Sequence, residues 1–432
     1  MWKRSALWIA GLLLVAAAGF FVLARRPPIA PIEPPGASAF APEEVARGKI
    51  LASAGNCASC HTTREGKPFA GGLAIPTPFG TMYSPNITPD PATGIGTWSK
   101  EAFARALHEG VARDGSQLFP VFPFDHFTRV TDEDVAALYA YLMTRPAVSN
   151  RPPANTLPFP LNVRALQYGW KLLFFHPGVY RPDPAKSEIW NRGAYLAEAL
   201  AHCSACHSPR NALGAEKTGS ATYVGAQVNQ WMSPALTAAN PAPLPWTEEE
   251  LYGFLRYGGT ALHGVAAGDM SEVIHIGLAP LPDEDVRAIA AYFADLDGSG
   301  ARVSSAAEVL AKEMSRSRLA TQASSDPGAR LYRAACASCH YNSGAVPLAA
   351  RPELGLSSAL SAAEPTDLVQ VILHGIALNE GMSNLLMPTF SNLSDADIAT
   401  LCAYLRRSLT DEPAWGALEE NVTAIRKEAA GS

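Results

Sequence analysis

The chain has 432 residues, of which 17 % are charged, and a formal net charge of -6 at pH 7. That length suits about two to four domains, and an acidic, charge-poor chain lacks the basic footprint that binding nucleic acid requires. With 35 prolines and 34 glycines, long coiled coils are excluded and short helices joined by irregular segments are expected.

The first predicted element is a membrane span. After MWKR comes SALWIAGLLLVAAAGFFVLA, residues 5–24, without a charge. A helix of that length crosses a bilayer core of about 30 Å. A cleaved signal peptide is the alternative, with small residues at Ala16, Ala17 and Ala18 or at Val22 and Ala24. The apolar run continues through FFVL, where a cleavage region would turn polar, and this favours a retained anchor. Lys3 and Arg4 flank one end and Arg25 and Arg26 the other, so the positive-inside rule does not choose an orientation. Either reading sends the remainder across the membrane. The following RRPPIAPIEPPGAS reads as an extended tether.

Three copies of one plan follow. ARGKILASAGNCASCHT (46–62), NRGAYLAEALAHCSACHSPRN (191–211) and GARLYRAACASCHY (328–341) each run from a helix into C-x-x-C-H. WSKEAFARALHEGV, WTEEELYGFLRYGG and EPTDLVQVILHGIA supply a middle helix. TDEDVAALYAYL, PDEDVRAIAAYF and SDADIATLCAYL supply a last one, with capping and acidic residues at its start. Val135, Leu138 and Leu142 recur at helical spacing, and Tyr141, Tyr292 and Tyr404 stand near the ends. No stretch alternates as a strand would. The expected organisation is therefore all-α. An anchor or signal occupies 1–26 and a tether 27–41. Three tandem domains follow at 42–146, 187–298 and 326–410, with linkers at 147–186 and 299–325 and a tail at 411–432. The first linker holds an apolar patch, LQYGWKLLFF, too short to span. Packing between the first two domains is its simplest reading, and contact with a partner or the membrane surface the alternative.

Seven cysteines leave one over from any set of pairs, and the spacing argues against disulfides. Thiols three positions apart at a helix end match the two vinyl groups on one edge of a haem, and the next residue, histidine, is placed to bind the iron. Composition alone gives roughly 0.003 such pentapeptides by chance. Zinc would need further ligands that no copy offers nearby. A thioredoxin-like pair would need a βαβ background, and disulfides would leave the three histidines unexplained. The expected attachment residues are Cys57, Cys60 and His61, then Cys203, Cys206 and His207, then Cys336, Cys339 and His340, carrying three covalent haem c groups. Cys402 reads as a buried small apolar residue.

Each iron takes a sixth ligand, which belongs on the loop before the last helix. Met270 fills that place in the second copy. Met387, followed by Pro388, is preferred to Met382 in the third. The first loop, DGSQLFPVFPFDHFTRV, contains no methionine, and His126 lies at about the same remove from His61 as Met270 does from His207. His126 is the expected ligand, with Met143, Met82, His108 and a five-coordinate haem as alternatives. No constellation of catalytic acid, base or nucleophile is present.

With CASCH, CSACH and CASCH, SPNITPDPATGIGTWS and NRGAYLAEALAHCSACHSPRN in view, the chain resembles the membrane-anchored three-haem cytochrome c subunits of bacterial periplasmic dehydrogenases, from residue 42 to about 410. The resemblance implies an electron-transfer subunit at the periplasmic side of the inner membrane. Its donor would be a catalytic subunit: a quinoprotein alcohol dehydrogenase, a flavin-dependent sugar or gluconate dehydrogenase, or a molybdenum hydroxylase acting on aldehydes or heteroaromatics. Its acceptor would be ubiquinone or a downstream cytochrome or oxidase. Where relatives have methionine in a Tyr-Pro-Ala-Met-Pro-Tyr stretch, this chain has LFPVFPF with Phe122, which leans towards the molybdenum hydroxylase partner. Two rival functions are a peroxidase-like enzyme with an open first haem and a subunit of a haem-copper oxidase.

Overall fold

The computed structural model describes residues 2–302, 305–341, 347–349, 351–377, 380–382 and 385–430. It divides into two compact units, one of Met1–Pro182 with Glu198–His202, the other of Asp183–Ala197 with Cys203–Ser432.

In the first unit α1 (Trp2–Ala24) is the apolar helix, with Leu12, Leu13, Leu14 and Val15 exposed along it. It is long and apolar enough to cross a membrane. The tether is extended, its Ile29 and Ile32 amides donating to Arg113 O (2.8 Å) and Thr97 O (3.1 Å). Next come α2 (Pro42–Ala54), α3 (Cys57–His61), a hairpin of β1 (Ala74–Thr77) and β2 (Gly80–Tyr83), α4 (Lys100–Glu109), α5 (Phe124–Phe127), α6 (Asp132–Met143) and α7 (Leu166–Phe174). The core forms where α2 crosses α6, burying Leu51, Ala52, Val135, Ala137, Leu138 and Leu142. Thr131 caps α6 by accepting from the Asp134 amide, and the Arg47 guanidinium reaches the buried Asp134 carboxylate at 2.7 Å.

The second unit holds the other two C-x-x-C-H motifs. α8 (Glu188–Tyr195) passes into a π-helical turn, Leu196–Leu200. Then follow α9 (Ser204–His207), β3 (Ala226–Val228), β4 (Trp231–Ser233), α10 (Glu248–Tyr257), β5 (Gly259–Thr260) and β6 (Gly264–Val265). α11 (Asp269–Glu272) runs into a π-helical Val273–Leu278, and α12 (Asp283–Asp297) closes the copy against α8. Arg192 grips Asp285 with two bonds, at 2.7 and 2.8 Å, as Arg47 holds Asp134. After α13 (Ser299–Arg302) and α14 (Ala306–Ala320), the last copy comprises α15 (Pro327–Ala335), α16 (Ala337–His340), α17 (Ser358–Ser361), α18 (Thr366–His374) and α19 (Asp395–Leu409). α20 (Leu418–Ala430) follows.

The helical reading holds, and Thr131, Pro282 and Ser394 stand at the N-caps of the three last helices. Three details differ. Three two-stranded hairpins occur among the described residues, with strands too short to show alternation in sequence. The segment expected as a tail carries α20, whose Val422 and Ile425 enter the third core with Leu401, Cys402 and Leu405. LQYGWKLLF is a helix, α7, packed inside the first unit.

One feature of the helix crossings recurs. A Cβ placed on Gly48 would lie 1.9 Å from Ala137 O and 2.7 Å from Tyr141 Cβ. On Gly193 it would lie 1.9 Å from Ala288 O and 2.9 Å from Tyr292 Cβ, and on Gly328 2.4 Å from Tyr404 Cβ and 2.9 Å from Thr400 O. Each glycine thus lets one helix rest on the first turn below a tyrosine of the other.

Candidate functional site

Every C-x-x-C-H histidine has the same partner. His61 Nδ1 lies 2.7 Å from Pro85 O, His207 Nδ1 2.7 Å from Pro234 O, and His340 Nδ1 3.1 Å from Pro352 O. A carbonyl only accepts, so each Nδ1 carries the proton and each neutral ring keeps its lone pair on Nε2. Burial holds all three imidazoles below the ordinary histidine range, against the opposing hydrogen bond to the carbonyl. A neutral imidazole with its tautomer fixed is the state a metal requires.

Local structure explains how the prolines arrive there. β1 pairs with β2 in a register that sets Ala74 against Tyr83, and β3 pairs with β4 so that Ala226 meets Ser233. Both hairpins run straight into a Ser-Pro step, Ser84-Pro85 and Ser233-Pro234. The histidine carbonyls close the other side, His61 O accepting from the Gly71 amide (2.7 Å) and His207 O from the Gly225 amide (2.8 Å). In the third copy a Leu348–Arg351 bridge precedes Pro352.

The cysteines lie at helix starts within one turn of their histidines, and all seven in the chain are free thiols. No disulfide competes for the six motif cysteines. Burial pushes the Cys57 thiol up to about 12 and the Cys336 thiol up to about 11, with the neighbouring motif cysteine adding to each. Cys402 is fully buried in α19, and burial pushes its thiol up to about 12. That is the profile of a packing residue. Paired thiols, a fixed proximal imidazole and no disulfide fit a thioether-bound haem in each copy.

The expected sixth ligands fall in three different settings. Met270 lies in α11, next to Gly268, which packs directly on the Trp231 ring; Trp231 is on the strand that leads to Pro234. Met387 is held by its backbone, its amide donating to Ile376 O (3.0 Å) and its carbonyl accepting from the Ile376 amide (2.9 Å). Met382 instead packs its side chain against Gly259. His126, on α5, is buried, and its Nδ1 lies 2.9 Å from Glu198 O, so it too is an Nδ1–H tautomer. The structure sets it beside His202 and Glu198, on the segment leading into the second motif, with Arg129 paired to the Glu198 carboxylate. Of the alternatives, Met82 and Met143 are buried in the first unit's core, and His108 Nε2 is 2.9 Å from Val130 O.

The loops that carry Met270 and Met387 interlock within the second unit. His275 Nε2 lies 2.7 Å from Gly381 O, and Gly258 sits against that same carbonyl. The proline carbonyls, the crossing glycines and this interlock were not predicted from sequence. The glycines had a visible signal, since each stands about nine residues before its first cysteine.

A cytochrome c family model matches residues 45–146, and a model of cytochrome c oxidase, cbb3-type, subunit III matches residues 323–405. The chain is 44 % identical over 431 residues to one of the subunits of nicotinate dehydrogenase from Pseudomonas putida; the match takes in 98 % of this chain but only 36 % of that relative. It is 39 % identical to the fructose dehydrogenase cytochrome subunit of Gluconobacter japonicus, covering 87 % of this chain and 81 % of that one. To the gluconate 2-dehydrogenase cytochrome c subunit of Pantoea cypripedii it is 35 % identical, over 89 % and 90 %.

Proposed function

Because the chain belongs to the cytochrome c subunits of bacterial dehydrogenases, we propose that it relays electrons through three covalent haem c groups from a periplasmic dehydrogenase to ubiquinone or the respiratory chain, held at the inner membrane by α1. The carrying observation is the histidine–proline carbonyl pair made three times over. Bound haem supplies one-electron exchange at its iron. The chain's residues do the rest: the cysteine pairs fasten each group, the proline carbonyls orient each histidine, and the His275–Gly381 contact fixes the Met270 and Met387 loops side by side. No acid–base machinery is needed, because substrate oxidation takes place in the partner. The likeness to part of a nicotinate dehydrogenase, together with Phe122 in the first loop, supports a molybdenum hydroxylase type partner acting on a heteroaromatic or aldehyde substrate. The test is the intact mass of the chain purified from membranes. It should exceed the polypeptide by three haems, and one or two would remove the corresponding copy from the relay.

His126 is the proposed sixth ligand of the first haem. A second imidazole holds a haem at lower potential than a methionine thioether does. A redox titration should therefore resolve one low component, which His126→Met raises and His126→Ala shifts while changing that haem's spin state. If both variants leave that component in place, the ligand is another residue.

A further inference from the structure

We infer that α7 lies in the membrane–water interface, with Leu172 and Leu173 against lipid. The inference rests on reading α1 as a membrane anchor and extends it to a second element. At nine residues α7 is far too short to cross a bilayer, yet Leu172 and Leu173 are 67 % and 65 % exposed.

Its two sides are differently engaged. On the inner side the Trp170 ring meets Phe124 edge-on at 6.0 Å, and Lys171 is buried, its Nζ donating to Glu109 O (2.5 Å), Gly110 O (2.7 Å) and Gln117 Oε1 (2.8 Å). These bonds fix the helix to the body of the unit. On the outer side Tyr168 packs on Phe20 of α1, ring centroids 5.8 Å apart, and Gly169 faces the same Phe20 ring. Leu172 and Leu173 are the i+4 successors of Tyr168 and Gly169, so they continue one stripe. That stripe starts on the anchor and ends bare.

The anchor's exit is tied to the same place. Gln117, which receives Lys171, donates through Nε2 to Ala24 O at 2.7 Å, and Arg26 pairs with Glu109 at 2.9 Å. Phe21, Val22 and Leu23, in the last turn of α1, are exposed and apolar, and Arg25 is exposed just beyond them. A bilayer that receives α1 up to this turn meets α7 at the level where its hydrocarbon gives way to headgroups. An aromatic residue such as Tyr168 and an arginine such as Arg25 favour that depth. The occupant of the bare leucines is therefore the lipid that also surrounds Val22 and Leu23.

The experiment places benzoylphenylalanine singly at Leu172, at Leu13 and, as a reference, at Ile189 in the full chain, and irradiates native membranes. Unchanged haem absorbance verifies folding. Phospholipid adducts at Leu172 and Leu13, well above the Ile189 yield, are expected. Lipid at Leu13 with a polypeptide adduct or no adduct at Leu172 overturns the interfacial helix and leaves the anchor standing. Lipid at Leu172 but none at Leu13 overturns the anchor reading alone.

Discussion

Gly193→Val is expected to unfold the second copy of the repeat and to cost that copy its proposed haem. The first added carbon would sit 1.9 Å from Ala288 O and 2.9 Å from Tyr292 Cβ. The carbonyl belongs to the backbone of α12 and cannot rotate aside, so α8 and α12 must separate along the whole crossing. Separation opens contacts around Ala197, Ile289 and Tyr292, all buried, and overpacking of this kind exceeds the usual range, at about 4 kcal/mol or more. Gly48→Val should behave alike, since its closest distance is also 1.9 Å. Gly328→Val should be milder, because its nearest neighbour is the Tyr404 Cβ at 2.4 Å. Gly300→Val, with nothing within 4 Å, is the control. Thermal unfolding followed by circular dichroism, with haem content from intact mass, reads the outcome. A Gly193→Val protein that melts with its parent and retains its haems would show that the crossing has room for a side chain.

Chemistry was legible in the sequence where it is local. C-x-x-C-H specifies its own geometry within five residues, and the capped, acidic starts of α6, α12 and α19 declare themselves within four. What escaped is non-local. The proline that orients each histidine lies 24, 27 or 12 residues further on, and its carbonyl leaves no side-chain signature. The hairpins that deliver Pro85 and Pro234 are only three or four residues per strand, below the length at which alternation can be recognised. α20 escaped for a different reason. Its apolar residues are few, with Val422 and Ile425 in the core and Leu418 packed against it, so the pattern resembles a solvated tail until α19 is there to receive it. The patch LQYGWKLLFF was visible, with packing and membrane contact both open as its role, because apolarity alone does not distinguish a residue packed on Phe124 from one left bare beside an anchor.

The second large effect concerns how the third copy presents Met387. Gly375, which ends α18, has φ 70° and ψ -163°, a region that is essentially closed to residues with a side chain and costs them about 1–3 kcal/mol. A Cβ there would also lie 2.3 Å from Met387 O and 2.9 Å from Pro388 C and Thr389 N. All three atoms are backbone, so Gly375→Ala can be accommodated only by moving the segment, which breaks the paired bonds between Ile376 and Met387. The methionine thioether, the proposed sixth ligand, would move with it. Methionine ligation raises a haem's potential, so one high component of the redox titration should fall in Gly375→Ala, together with part of the methionine-to-iron charge-transfer absorbance. Of the three proposed haems, the first two should not change. Gly298→Ala separates strain from displacement, since Gly298 has φ 64° and nothing within 4 Å; it should lower stability slightly and leave every potential where it was. Three unaltered potentials in Gly375→Ala would mean that the third iron is not ligated through Met387.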